Sequence, residues 1–226
     1  MKTIIKRFVL ASALGVLGLC CTSKTSGQEI GWYVKADAGG NITQNTDLKE
    51  FFGPVEPGTR VKFDPGYRFG LGGGYQLTEW FAAEAEVGFM GNRITSITGA
   101  SEVHDTWFMN VPFLVNAKLQ WPNRSLITPY IGGGVGFSEA ILDVGNITIN
   151  DTTLHGDNAD TVFAYQAFAG LRYRFNDRMG LSLEYRYFAA DGAEWRSDSA
   201  FGTATDRMRF GNTRTHAISV AFDFRF

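Results

Sequence analysis

Residues 217–226, the last ten of the chain, read Ala-Ile-Ser-Val-Ala-Phe-Asp-Phe-Arg-Phe. Large apolar side chains occupy every second position of this stretch: Ile218, Val220, Phe222, Phe224 and Phe226. The positions between them are small or charged and include Asp223 and Arg225. Because successive side chains of a β-strand point to opposite faces, this stretch predicts a strand with one apolar and one polar face.

The same alternation recurs seven times upstream, so the sequence predicts eight strands. The apolar faces of these strands begin, in chain order, at Trp32, Tyr67, Phe81, Trp107, Ile131, Phe163, Leu181 and Ile218. No stretch after Gln28 approaches the ~18 continuous apolar residues of a transmembrane helix. Aromatic residues make up 14% of the chain, which excludes a disordered protein. The formal net charge of −2 gives no indication of a nucleic-acid partner.

The first 27 residues have the composition of a secretory signal peptide, with Lys2, Lys6 and Arg7 before an uncharged apolar run at 8–21. This run is shorter than the ~20 residues of a membrane-spanning helix. Small residues at 25–27 predict cleavage near Gly27, with residues 28–226 forming one domain. Lipoprotein processing at Cys20 or Cys21 is the open alternative. Cleavage removes four basic residues and no acidic ones, which lowers the formal net charge from −2 to −6.

Eight alternating strands fit either a soluble β-sandwich or a transmembrane barrel. The predicted strands run about 10–14 residues, long enough for the ~9–11 that a tilted membrane-spanning strand needs. The connections alternate between long polar segments (43–62, 91–104, 139–160 and 190–212) and short turns (78–79, 122–125 and 176–178). Short turns at one end and long loops at the other are typical of outer-membrane barrels. The sequence therefore predicts an all-β, eight-stranded antiparallel up-and-down transmembrane β-barrel.

This pattern, together with the terminal Phe222-x-Phe224-x-Phe226, resembles the small outer-membrane β-barrel family. That family includes opacity-protein-like surface antigens and the transmembrane domain of outer-membrane protein A, and the resemblance covers residues 31–226. It implies a place in the bacterial outer membrane, in contact with its lipid and lipopolysaccharide. It also implies a role in membrane integrity, surface exposure or adhesion, with the long loops binding a host or surface ligand. The last strand is then the signal for the barrel-assembly machinery, carried by Ile218, Val220, Phe222, Phe224 and Phe226.

The polar faces of the strands are expected to line the barrel interior, which eight strands leave just wide enough for side chains to fill. The charged residues on these faces are Lys35, Asp37, Arg68, Glu84, Glu86, Lys118, Arg172, Arg174, Glu184, Arg186, Asp223 and Arg225. Because buried charges must be paired, we expect a network of ion pairs that plugs the lumen. A narrow channel for small or hydrophobic molecules, lined by the same charges, is the alternative.

A lipid A-modifying barrel enzyme is the second alternative, and it would need a histidine beside a nucleophile. His104, His155 and His216 show no such spacing, since Ser219 lies three residues from His216 and points to the opposite face. The acidic segment 143–160 lacks the spaced ligands and closing glutamate of an EF-hand and is interpreted as a solvated loop. The sequence therefore predicts no catalytic residue, cofactor or metal site.

Overall fold

The structure is a computed structural model that describes residues 30–226, apart from positions 52, 124, 150–151 and 197–206. The predicted signal peptide, with its cleavage site and Cys20 and Cys21, lies outside the described residues. The strands in the described part are β1 (Gly31–Thr43), β2 (Thr46–Phe51), β3 (Arg60–Phe63), β4 (Gly66–Gln76), β5 (Phe81–Ile97), β6 (Ala100–His104), β7 (Thr106–Gln120), β8 (Ile127–Ile149), β9 (Thr152–Arg174), β10 (Met179–Ala190), β11 (Glu194–Arg196), β12 (Arg207–Phe210) and β13 (Thr213–Arg225).

Eight of the described strands close into a ring, each antiparallel to both of its neighbours. The order around the ring is β1, β4, β5, β7, β8, β9, β10 and β13. The last strand pairs with the first, from Tyr33 opposite Arg225 to Thr43 opposite Thr215, so the barrel has no free edge. The predicted eight-stranded up-and-down barrel is confirmed.

One end of the barrel, the turn end, carries the short connections 77–80, 121–126 and 175–178. Between the two ends, the outer surface of the barrel is apolar on the predicted faces of all eight strands. Val115 and Leu71, for example, expose 66% and 63% of their surface. Such an apolar band is what lipid hydrocarbon around the barrel requires. Hydrocarbon offers no hydrogen-bond partners, and the closed ring supplies them because every strand is paired on both sides. In the described part of the chain, no helix is long and apolar enough to cross a membrane.

At the opposite end, most of the residues predicted as long loops form further strands, so that prediction is wrong. β5 runs on to Ile97 and β6 begins at Ala100, while β8 and β9 leave positions 150–151 between them. β2 and β12 pair with each other, as β1 and β13 do, beyond the breaks at 44–45 and 211–212. Strand pairing satisfies backbone groups that a loop would leave to water, which explains why the chain continues as sheet.

These strand extensions form a cap over the barrel, which we define as β2, β3, β6, β11, β12 and the far ends of β5, β8 and β9. β5, β3, β2, β12 and β11 form one sheet, and β6, β8 and β9 form the other. Apolar side chains from both sheets meet between them in one cluster. Its cap residues include Leu48, Val61, Ile97, Leu142, Ile147, Trp195, Met208 and Phe210.

Candidate functional site

The barrel interior is the candidate functional site, and charged side chains fill the part nearest the turn end. Glu86 is central: Arg68 donates to Oε1 at 2.5 Å and Arg186 donates to both oxygens at 3.0 Å. Arg68 also binds Asp37 at 2.9 Å, and Arg186 also binds Glu184. Both guanidinium groups are completely buried. The positive charges of Arg68 and Arg186 are balanced by carboxylates on β1, β5 and β10. The cluster therefore links strands that are not neighbours in the ring.

A second group of charges lies beside this cluster. Lys118 donates to Glu84 at 2.5 Å, and Lys35 donates to Glu184 at 2.8 Å. The Tyr33 hydroxyl, which is not among the predicted lumen residues, accepts from Lys118 at 2.8 Å and donates to Glu84. Tyr33 has the same parity along β1 as Lys35 and Asp37. The alternation that predicts an inward position for these two charges therefore predicts it for Tyr33 as well.

The predicted charges nearest the turn end form a separate pair. Arg172 donates to both oxygens of Asp223, at 2.8 Å from Nε and 2.7 Å from Nη2. Arg225 lies 3.7 Å from the same carboxylate. Arg174 is half-buried on the inner face of the same strand as Arg172. All twelve charges assigned to the lumen from the sequence therefore face inward, and eleven of them lie in the ion pairs described above.

Neutral polar residues and glycines complete this charged layer. Asn116 donates to Glu86 at 3.2 Å, and Gln166 donates to Asn116 at 2.7 Å. Glycine makes room for the long side chains: a Cβ at Gly180 would lie 2.6 Å from Nε of Arg172. A Cβ at Gly70 would overlap the Asp37 carboxylate. The inward glycines are thus part of how the network fits a narrow barrel.

Uncharged polar side chains form the next layer toward the cap. Thr43 lies 2.8 Å from both Asn92 and Thr215, and Ser138 lies 3.3 Å from Asn110. All five side chains are buried. Most of the apolar cluster lies on the cap side of this layer.

The third layer is apolar, which corrects the expectation that the interior is polar along the whole length of the strands. Trp195 packs against Phe210 and Phe108, with ring centroids 4.8 and 6.2 Å apart, and its Nε1 donates to the Ala140 carbonyl at 2.9 Å. Beyond the lipid-facing band the outside of the sheet meets water, so the apolar side chains of the extensions pack inward. The buried Leu114 belongs to this cluster but lies within the charged layer, directly opposite Glu86 in the β5–β7 ladder.

Within the charged layer, a small cavity of about 10 Å³ is bordered by Tyr33, Lys35, Asp37, Glu84 and Glu86. This is room for about one water molecule. In the described part of the chain, no group of three or more His, Cys, Asp or Glu side chains is placed to hold a metal ion.

Two of the three histidines considered for catalysis, His104 and His216, lie apart from the interior. His216 is on the outer surface, 2.7 Å from the Tyr185 hydroxyl and 2.9 Å from the Gln44 amide. Ser219 points to the opposite face and is buried. His104 is exposed in β6, and the side chain of His155 lies outside the described residues. His216 and Ser219 therefore do not form a nucleophile–base pair.

Comparison with known proteins gives one family match. The sequence profile of the family described as "Outer membrane protein beta-barrel domain" matches residues 11–226. An uncharacterised protein of Brucella abortus (strain 2308) is 24% identical over 195 residues, covering 72% of this chain and 69% of its own. An uncharacterised protein of Brucella melitensis shows the same identity and coverage.

Solved structures with the same fold include three outer-membrane proteins. Neisserial surface protein A covers 87% of this chain and 97% of its own, with a TM-score of 0.55 and 17% identity. OprG of Pseudomonas aeruginosa covers 88% and 99%, with a TM-score of 0.60 and 14% identity. AlkL, solved in lipid bilayers, covers 93% and 98%, with a TM-score of 0.51 and 14% identity. At these identities the likeness concerns the fold alone.

Proposed function

Because the chain belongs to the outer membrane protein beta-barrel domain family, we propose that it is a closed, non-enzymatic barrel of the bacterial outer membrane whose role lies in its cap. The observation that carries this proposal is the filled interior, with an ionic network, a neutral polar layer and an apolar cluster stacked along the barrel. A barrel filled in this way acts through its surface, as a stabilising element of the membrane or as an adhesin.

Membership of the family supports one orientation in the membrane. Outer-membrane barrels place short turns in the periplasm and longer connections outside the cell. The turn end is thus periplasmic, and the cap projects from the cell surface. This orientation exposes the cap to host or surface ligands, which is the proposed site of recognition.

Planar-bilayer recording tests whether the lumen is closed. We expect the native barrel to show no stable openings, because ion pairs on β1, β4, β5, β7, β9, β10 and β13 cross the lumen and the cavity beside them holds about one water. Insertion is checked by flotation with vesicles and by the gel shift on boiling in detergent. Large, stable openings by correctly inserted protein would support the channel alternative and contradict the closed barrel.

We also propose that the last strand carries the assembly signal, through Ile218, Val220, Phe222, Phe224 and Phe226. In the closed barrel both backbone edges of β13 are paired, one with β1 and one with β10. The assembly machinery must therefore bind this strand before the barrel closes. The side chain of Phe226 is 69% exposed, so it contributes little to the folded state.

For Phe226→Ala we accordingly expect less protein in the outer membrane of expressing cells but unchanged refolding into detergent. Trp121→Ala is the matched control, since Trp121 is a 51% exposed aromatic residue at the same end outside the last strand. Equal membrane levels of the two variants would show that the terminal Phe is not part of the signal.

A further inference from the structure

The two outer walls of the cap carry opposite charge. On the wall formed by β5, β3, β2, β12 and β11, the described residues include seven basic side chains and three acidic ones. The basic residues are Lys49, Arg60, Lys62, Arg93, Arg196, Arg207 and Arg209, and the acidic ones are Asp47, Glu50 and Glu194. We call this surface the basic wall. It stands out on a chain whose formal net charge is −2.

The wall formed by β6, β8 and β9 is acidic. Glu102 is exposed, and Glu139, Asp143 and Asp157 point outward, with Asp143 directly opposite Asp157. Partial burial, together with the nearby charges of Asp157 and Asp105, raises the pKa of Asp143. The charges of the cap are therefore segregated, and a partner that binds the basic wall must itself be anionic.

Part of the basic wall is not neutralised by the residues that the structure describes. Arg207 lies 2.8 Å from Glu50, and Lys49 lies 2.9 Å from Asp47. By contrast, Lys62, Arg93 and Arg209 are exposed and form no ion pair with any described carboxylate. These three side chains are available to an outside anion.

The basic wall continues the lipid-facing surface of the barrel. Arg93 lies directly opposite Trp107 in the β5–β7 ladder, and Phe89 lies below it on the same face of β5. Trp107 packs near Tyr67, with ring centroids 6.3 Å apart, and Tyr67 stacks on Phe89 at 6.0 Å. Such aromatic residues mark the interface between hydrocarbon and water in membrane barrels. In the proposed orientation, Arg93 lies at the level of the lipid headgroups, and Lys62, opposite Ser96 on β5, lies just above it. Both side chains are exposed on the outside of the sheet.

We propose that the basic wall binds the phosphate groups of the glycolipid that surrounds the barrel in the outer leaflet. The positive charge of the basic wall is complementary to the negative charge of these phosphates. The wall also faces neighbouring headgroups rather than the medium above the cell. Multiple lysines and arginines suit phosphate, which arginine binds through two donors at once. This proposal rests on the orientation and surface-exposed cap given under Proposed function, and adds the partner: the barrel anchors its cap among phosphorylated headgroups.

The test is equilibrium binding of fluorescent lipopolysaccharide to the full barrel in non-ionic detergent, at low and high salt. The variant replaces Lys62, Arg93 and Arg209 together by Gln. The matched control replaces Glu102 and Glu139 by Gln and Asp157 by Asn on the acidic wall. The gel shift on boiling verifies that each protein is folded. A basic side chain near an anionic surface contributes roughly 1 kcal/mol, so the triple variant should bind about a hundredfold more weakly at low salt.

The native protein and the acidic-wall control should bind with similar affinity, and high salt should weaken both. The proposal is overturned if the basic-wall variant binds lipopolysaccharide as tightly as the native protein does. It is also overturned if the native protein binds lipopolysaccharide stripped of phosphate as tightly as the intact molecule. Displacement by inorganic phosphate at matched concentration would assign the site to a free anion instead. Stronger binding of a soluble sulfated polysaccharide, or self-association in lipid-free detergent, would identify a different occupant. If the native barrel conducts and still binds lipopolysaccharide through the basic wall, the closed lumen is contradicted and the lipid-binding proposal stands.

Discussion

Glu86→Ala is expected to destabilise the barrel by about 3–5 kcal/mol, the cost of removing one partner from a buried ion pair. The carboxylate accepts from Arg68 and Arg186, neither of which has any exposed surface. Asp37 and Glu184 still contact these guanidinium groups in the variant. Each of these two carboxylates contacts only one of the arginines. The buried guanidinium groups of Arg68 and Arg186 therefore lose the anion that they share. The free energy of unfolding is measured by urea titration in lipid vesicles with tryptophan fluorescence.

Glu102→Ala is the control, because Glu102 is exposed on the cap and its loss should change stability by less than about 0.5 kcal/mol. Glu86→Ala combined with Arg68→Leu should be less destabilised than the sum of the single variants, since the double variant leaves one fewer unpaired charge. A Glu86→Ala barrel as stable as the native one would mean that water compensates both arginines. The ionic network would then not hold the strands together.

The strands and their faces were predictable because lipid and lumen impose opposite demands on alternate positions. In β9, for example, Tyr165 and Leu171 face outward while Gln166 and Arg172 face inward, as the alternation requires. The charges that line the lumen follow from the same rule. Their partners do not, because pairing depends on the register between strands, which a single sequence leaves open. Nothing local to Glu86 indicates that Arg186, one hundred residues away, is its partner.

The cap was not predicted, although the sequence carries a signal for it. Within the lipid-facing band of β8, Val135 and Phe137 point outward, whereas farther along the same strand Ala140, Leu142 and Val144 point inward. The apolar face thus changes sides where the surroundings change from hydrocarbon to water. A prediction that keeps the interior polar along the whole strand assigns these residues to loops. A change of apolar face within one strand is the pattern that indicates a barrel extending beyond its membrane.

Trp195→Ala is expected to loosen the cap selectively, by about 3–5 kcal/mol, while the membrane-spanning barrel stays folded. The indole is buried between Phe108 and Phe210 and donates to the Ala140 carbonyl at 2.9 Å, so it joins the two sheets of the cap. Amide hydrogen exchange should accelerate at least a hundredfold in β2, β11 and β12 and stay unchanged in β1 and β13 near the turn end. The gel shift on boiling should persist.

Two variants separate packing from the hydrogen bond. Trp195→Phe keeps an aromatic ring but leaves the Ala140 carbonyl without this donor, so its effect should be smaller, about 1–3 kcal/mol. Trp121→Ala removes the same kind of side chain from an exposed position at the turn end and should leave exchange in the cap unchanged. Because the ionic network below the cap is intact in Trp195→Ala, this variant should conduct no more than the native barrel. Stable openings in Trp195→Ala would instead make the apolar cap, and not the charged layer, the element that closes the lumen.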